Sequence, residues 1–421
     1  MQHWFWLILP SFVSRRFGHS TIKQTQPDET SYLNGLRGVA AVVVVLQHIT
    51  EFFYPENHGC YGDGGPEPDH YIQLPYFKLL LMGSFSVTLF FVISGFALTF
   101  GPLRKIHAGN PEAAIASMPS SIFRRPIRLF LPILPVYAFS WVLIQAWFIW
   151  NLGTAGPIPR QENFLVEMYI GIKHWLIIDT TPYVVATYFP QGWTLYDEHM
   201  GSLLVFLCCL AFARTKVAVR MLGVSIVAIW HFYVDQWTSF LFLGGMLLAD
   251  LRLATADRPP LKPTHERWKR FALIALLVVS LFFGSWPYTG DVAQCVGFQY
   301  FAGIGMPGML PMRFWHSLAS VTTLFALEGL PSTQRLFNSP MILYLGEISY
   351  SLYLIHWAVG YSWAEAVAAA VIAAGYEKFW ACMASVAVTL TTGIWVADLF
   401  WRYSDIQCVK LARWIATKLG V

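Results

Sequence analysis

The sequence predicts an all-α integral membrane protein, a bundle of about ten transmembrane helices with both termini in the cytosol. Three observations carry that expectation. The first is composition: of 421 residues, 56% are hydrophobic and 12% charged, with a mean hydropathy of +0.50. A soluble globular protein carries roughly 25% charged residues. A water-soluble chain of this makeup would expose much apolar surface, whereas a polytopic one turns it to lipid. Eighteen Trp, nineteen Tyr and thirty-two Phe suit aromatic belts at the two interfaces.

The second observation is a series of apolar stretches. They run approximately over Leu36–Phe53, Phe77–Phe100, Pro126–Trp150, Trp193–Phe212, Val217–Val234, Trp237–Leu251, Phe271–Trp286, Arg313–Leu330, Met341–Tyr361 and Trp380–Phe400. A span needs about 20 residues, so Trp237–Leu251 and Phe271–Trp286 are short. A half-apolar piece, Phe164–Ile178, fits a re-entrant or interfacial helix.

The third is the distribution of basic residues. With the N-terminus in the cytosol, only Lys78, Arg160, Lys173, Arg313 and Lys378 of the 28 Lys and Arg fall outside. That bias is the one the positive-inside rule predicts. Residues 1–31 read as a cytosolic or interfacial segment, 32–403 as the transmembrane domain and 404–421 as a cytosolic tail. Arg15 and Arg16 follow the apolar start instead of preceding it, the wrong order for a cleaved signal peptide. Trp4–Val13 is expected to lie on the membrane.

Several function classes are disfavoured. A net charge of +4 gives no reason to expect nucleic acid as a partner. The six Cys have no CxxC spacing and no His pairs at zinc spacing, so no metal is expected. No phosphate-loop, dinucleotide or HExxH pattern appears. Cys60 and Cys295 both fall in outside loops, where a disulfide suits a secretory compartment.

Ionisable residues inside spans are costly and point to function. The first span begins Asn34-Gly-Leu-Arg37 and reaches His48 eleven residues after the arginine. On a helix that is about 16 Å deeper, near mid-membrane. A neutral imidazole there can take a proton from a hydroxyl; a buried histidine bonded to a neighbouring helix is an equal reading. The second span carries Ser94-Gly95, which suits helix packing or a thin ligand. Arg124, Arg125 and Arg128 crowd one turn before the third span, where forked donors suit phosphate oxygens; ordinary positive-inside charge is the competing reading. The fourth opens Gln191-Gly-Trp193-Thr194-Leu-Tyr196-Asp197-Glu198-His199, with Glu198 one turn beyond Thr194. In the ninth, Ser349, Tyr353 and His356 share a helical face, as catalytic groups or as interhelical glue.

Taken in order, these motifs (Arg, ten residues and His; FFVISGF; RRPIRLFLP; WTLYDE; LGEISYSLYLIHW) resemble the acyltransferase 3 family of multi-pass membrane acyltransferases, from about Tyr32 to Trp414. The stretches from Glu198 to Phe206, from Gly245 to Asp250 and from Ala397 to Arg402 resemble the fungal branch. The resemblance implies transfer of an acyl group, usually acetyl from acetyl-CoA, to a hydroxyl. It makes His48 the catalytic base, Arg37 part of its motif, and Arg124 and Arg128, with Arg125 beside them, the contacts of the CoA phosphates. Ser94, Gly95 and Glu198 would line the path between, with Glu198 beside the base. Asn34, Trp193, Thr194, Ser349, Tyr353 and His356 remain candidates for substrate contact or for structural support.

The expected partners are membrane lipids and a small hydroxylated acceptor such as a secondary metabolite, sterol or terpenoid, in the endoplasmic reticulum or plasma membrane. Two departures stand out. Family members usually carry Asp where this chain has Asn34, and Tyr196-Asp197 is more polar than usual. A transporter, or a non-catalytic relative, is the alternative that these features leave.

Overall fold

The computed structural model describes residues 6–18, 27–149, 165–166, 169, 172–173, 189–256, 259 and 262–420. In chain order its helices are α1 (Ser11–Arg16), α2 (Ser31–Phe53), α3 (Gly83–His107), α4 (Pro111–Phe130), α5 (Ile133–Gln145), α6 (Trp193–Ala211), α7 (Val217–Tyr233) and α8 (Trp237–Thr255). They continue as α9 (Pro263–Gly284), α10 (Pro311–Glu328), α11 (Pro331–Phe337), α12 (Pro340–Val359), α13 (Glu365–Ala373), α14 (Lys378–Phe400) and α15 (Ile406–Leu419). The described residues are thus built from helices, and each apolar stretch of the sequence falls on at least one.

The boundaries differ where charge or proline intervenes. The two stretches that looked short lie in longer helices, because α8 runs on to Thr255 and α9 starts at Pro263. The first two turns of α9 carry Glu266, Arg267, Lys269 and Arg270, which a hydropathy reading leaves out. The second stretch starts late: Phe77–Leu81 is a 3-10 turn, and the helix begins at Gly83. The third breaks at Leu131-Pro132 into α4 and α5. Phe164–Ile178 lies almost entirely outside the described residues, as do the first residues of Trp4–Val13. By length and composition, five helical stretches among the described residues suffice to cross a membrane: Ser31–Phe53, Gly83–His107, Pro111–Gln145, Trp237–Thr255 and Lys378–Leu419.

The chain forms two compact units. The first comprises Met1–Phe53, Phe123–Tyr196 and Phe337–Val421. Its central contact is α2 against α12, and glycine sets how close they come. A Cβ on Gly38 would sit 2.5 Å from the Gly346 nitrogen, and one on Gly346 would sit 2.2 Å from the Asn34 carbonyl oxygen. Backbones this close need small residues at the crossing. The N-terminal segment is tied to this unit. The Ser11 amide donates to Asp398 at 2.9 Å, as does the Tyr344 hydroxyl. Arg402 donates to the Leu9 carbonyl at 2.7 Å, and Arg15 pairs with Glu347 at 2.6 Å.

The second unit comprises Tyr54–Ile122 and Asp197–Leu336. Here α3 and α8 meet through a second glycine pair. A Cβ on Gly95 would fall 2.1 Å from the Phe242 carbonyl oxygen, and one on Gly245 would fall 2.1 Å from that of Val92. Arg220, buried on α7, pairs with both oxygens of Asp250 at 2.7 and 2.8 Å, and His107 lies 2.6 Å from the same carboxylate. A Cys60–Cys295 disulfide, with Cα atoms 5.5 Å apart, packs on Trp286, Phe298 and Trp315. Near it the buried Lys78 ammonium donates to the carbonyls of Asn57 and Gly59. Burial pushes the Lys78 amine down to about 7, and the Asp63 carboxylate partly opposes the shift.

Candidate active site

Most of the candidate residues belong to the first unit: Asn34, Arg37 and His48 on α2, Arg124, Arg125 and Arg128 at the end of α4, Trp193 and Thr194 at the start of α6, and Ser349, Tyr353 and His356 on α12. The glycine contact described above presses α2 and α12 together. Ten residues beyond Gly38 and Gly346, His48 and His356 meet. Their rings stack with centroids 5.3 Å apart and an interplanar angle of 21°.

The two imidazoles differ. His48 keeps 36% of its side chain exposed, and its Nδ1 lies 3.5 Å from a Glu51 carboxylate oxygen. His356 is 2% exposed. Its Nδ1 lies 2.7 Å from the Tyr353 carbonyl oxygen. A carbonyl only accepts, so Nδ1 carries the hydrogen and Nε2 keeps its lone pair. That Nε2 is buried and has no hydrogen-bond partner among the described residues. Leaving such a group unsatisfied costs about 1–3 kcal/mol.

The polar stripe of α12 divides its tasks. Ser349 turns back to the Gly346 carbonyl of its own helix at 2.8 Å. Tyr353 reaches away from it: its hydroxyl lies 2.9 Å from that of Thr194 and 3.2 Å from the Gln191 carbonyl. The Gln191 amide in turn donates to the Leu354 carbonyl at 2.5 Å. These bonds fix the start of α6 beside the imidazole pair, and Trp193 is half-buried there.

At the arginine end, the Tyr350 hydroxyl donates to the Leu129 carbonyl at 2.7 Å, which holds the last turn of α4 against α12. Asp405, 8% exposed, lies within electrostatic reach of Arg128 and Arg37. It sits at the end of the π-helical segment Trp401–Asp405. That extra-wide turn shifts the register between α14 and α15, a deviation often found at functional sites.

Ser94, Gly95 and Glu198 belong to the second unit. The Ser94 hydroxyl donates to Glu198 at 2.6 Å. Gly95 is used for helix packing, its Cβ position filled by the backbone of α8. Asp197 is buried, 3.4 Å from the Thr238 hydroxyl.

Sequence reasoning missed Glu51, Gln191 and Asp405 as site residues. Glu51 was the most accessible, because three residues after His48 is one helical turn. Asp405 left no such signal, being distant in sequence from both arginines. No group of three or more potential metal ligands exists among the described residues.

Known proteins resemble this chain over most of its length. The model of the acyltransferase domain family known as acyltransferase 3 matches residues 30–402. The chain is 28% identical to the O-acetyltransferase PaAT-1 of Phomopsis amygdali, with 93% of this chain and 85% of that protein covered. It is 23% identical to the acyltransferase clz18 of Cochliobolus lunatus, covering 81% and 84%. No solved structure matches. With the family pattern spanning nearly the whole chain, the protein belongs to the acyltransferase 3 family of acyltransferases.

Proposed function

We propose that this acyltransferase is a membrane O-acetyltransferase that moves acetyl from acetyl-CoA to a hydroxyl of a small molecule such as a secondary metabolite. The observation that supports the reading is that one unit holds Arg37 and Arg128, both within electrostatic reach of Asp405, together with the stacked His48–His356 pair. Anionic CoA phosphates suit the arginine end, with Arg124 and Arg125 on the same helix. The thin pantetheine arm can then extend along α2 for the roughly 16 Å that separates Arg37 from His48. This keeps the phosphates out of the apolar interior, where burying charge is costly.

In the simplest scheme His48 is the general base. It takes the hydroxyl proton while the oxygen attacks the thioester carbonyl, and the CoA thiolate leaves. Asp405 supplies a carboxylate near Arg37, the role that Asn34 cannot fill, and this favours an active enzyme over a non-catalytic relative. About ten spans, both termini in the cytosol and an endoplasmic reticulum or plasma membrane location complete the proposal. They place the arginine end on the side where CoA resides.

The test compares metabolites of cells with and without the active protein by mass spectrometry, together with thiol release from acetyl-CoA by the purified protein. The expected result is a product heavier by one acetyl group and release of one thiol per product. Wild-type protein that releases no thiol from any acyl-CoA, yet moves a solute across vesicles, would establish the transporter reading instead.

A further inference from the structure

We infer that the two stacked imidazoles divide the reaction, His48 carrying the acetyl group and His356 taking the proton of the acceptor hydroxyl. The inference rests on the acyl-transfer reading above and changes which ring receives the proton.

The reasoning starts from the hydrogen on His356. The Tyr353 carbonyl holds it at Nδ1, so the buried Nε2 can only accept. A group that only accepts cannot stabilise the oxyanion of an acyl-transfer intermediate, which needs donors. The use open to it is to receive a hydrogen, and the reaction brings one obligatory O–H donor, the acceptor hydroxyl. A single transfer needs one base. A second imidazole stacked on it at 5.3 Å therefore has a different task.

His48 has the features of that other task. Its side chain is 36% exposed, so a thioester can reach it, and the Glu51 carboxylate lies 3.5 Å from Nδ1. Acylation at Nε2 makes the ring cationic, and a carboxylate on the far nitrogen stabilises that charge.

In the first step the Nε2 lone pair of His48 forms a bond to the thioester carbonyl carbon, and the carbon–sulfur bond breaks with its electron pair leaving on the CoA thiolate. In the second the acceptor oxygen bonds to the acetyl carbon, its proton passes to Nε2 of His356, and the carbon–nitrogen pair returns to His48. The proton on His356 finally leaves to the thiolate or to water. The step requires the more exposed His48 ring to tilt out of the stack so that the hydroxyl reaches the buried Nε2.

The experiment needs no identified acceptor, because water serves as a slow one. Purified wild type, His356→Asn and His48→Ala are mixed with isotope-labelled acetyl-CoA, quenched rapidly, and followed by thiol release and intact mass. Wild type releases thiol continuously. His356→Asn is expected to release one thiol per protein and then stop, with one acetyl group retained on the peptide that contains His48. His48→Ala should show neither burst nor label. Elution as a single species in detergent confirms that each variant is folded.

Continuous wild-type-like turnover by folded His356→Asn would overturn the division of labour. So would a folded His356→Asn that loses the burst together with turnover, or an acetyl group retained elsewhere. If His356→Asn does not fold, His356→Gln takes its place, read by the same burst. Absence of thiol release from wild type would count against the acyl-transfer reading itself and is thereby separate.

Discussion

Two buried polar clusters, one in each unit, teach by their difference. In the second unit Arg220 grips both oxygens of Asp250 and His107 adds a third contact to that carboxylate. Charge meets charge, and both carboxylate oxygens of Asp250 are engaged. In the first unit His356 lies equally deep but its Nε2 meets no donor among the described residues. The first arrangement locks three helices; the second leaves an acceptor waiting. A buried ion pair is costly to break and often replaceable as a whole, while an open acceptor in a core costs free energy by being left unmade.

Substitutions can break this comparison or sharpen it. The largest expected effect is at the open cluster. His48→Ala should cut acetyl transfer by about 10²–10⁴-fold, the usual contribution of a reacting proton-transfer group, while thermal unfolding in detergent stays near wild type. Wild-type turnover would end the assignment.

The closed cluster should respond in the opposite way. Asp250→Ala leaves the Arg220 charge buried without its carboxylate and should cost about 3–5 kcal/mol of stability. Thermal unfolding in detergent should show the loss, and replacing Arg220 and Asp250 together by apolar residues should restore much of it. A single Asp250→Ala variant as stable as wild type would mean that the pair does not lock these helices.

A smaller effect is expected at the arginine end. Arg128→Ala removes one charge-assisted contact, about 1.5–3 kcal/mol. It should raise KM for acetyl-CoA by roughly 10-fold or more with kcat little changed. A changed affinity for the acceptor with KM for acetyl-CoA intact would move the phosphate site elsewhere.

The smallest concerns Lys78, a buried charge of the second unit held by carbonyls. Its amine is depressed to about 7 from 10.5, mainly by burial. Between those values the unfolded chain binds a proton that the folded chain does not. Stability therefore rises with pH through that window, by at most about 1.4 kcal/mol per pH unit, and the cost of the buried charge is greatest below it. Lys78→Met should flatten the profile measured by thermal unfolding between pH 7 and 9. An unchanged slope would show that the ammonium keeps its proton.

Much of the fold was legible because the bilayer imposes a simple rule. Apolar stretches of about 20 residues form helices, since lipid offers the backbone no other partner. The stretches from Leu36 to Phe53 and from Trp380 to Phe400 fall directly on α2 and α14. Helix ends were less legible. Arg267, Lys269 and Arg270 at the start of α9 are polar yet helical, so hydropathy stops short of them. The site was legible where its chemistry follows one helix: Arg37 and His48 by spacing, Ser349, Tyr353 and His356 by a shared face. It was hidden where partners come from far along the chain, as with Asp405 near Arg37 and Arg128, or Gln191 against Leu354.

The Cys60–Cys295 bridge shows the same limit from another side. Sequence placed both thiols in outside loops, and only the 5.5 Å approach of their Cα atoms makes them a pair.

By itself, then, the sequence determined that this chain is a helical membrane acyltransferase with Arg37 and His48 on one helix, because helical periodicity and the cost of charge in lipid act locally along the chain. Only the tertiary structure decided which imidazole faces which. Gly38 and Gly346, ordinary glycines in the sequence, let α2 and α12 approach until His48 stacks on His356. The Tyr353 carbonyl then fixes which nitrogen of His356 remains open. The stacking depends on packing between residues hundreds of positions apart, which no local pattern encodes, whereas the Tyr353 bond is local to α12.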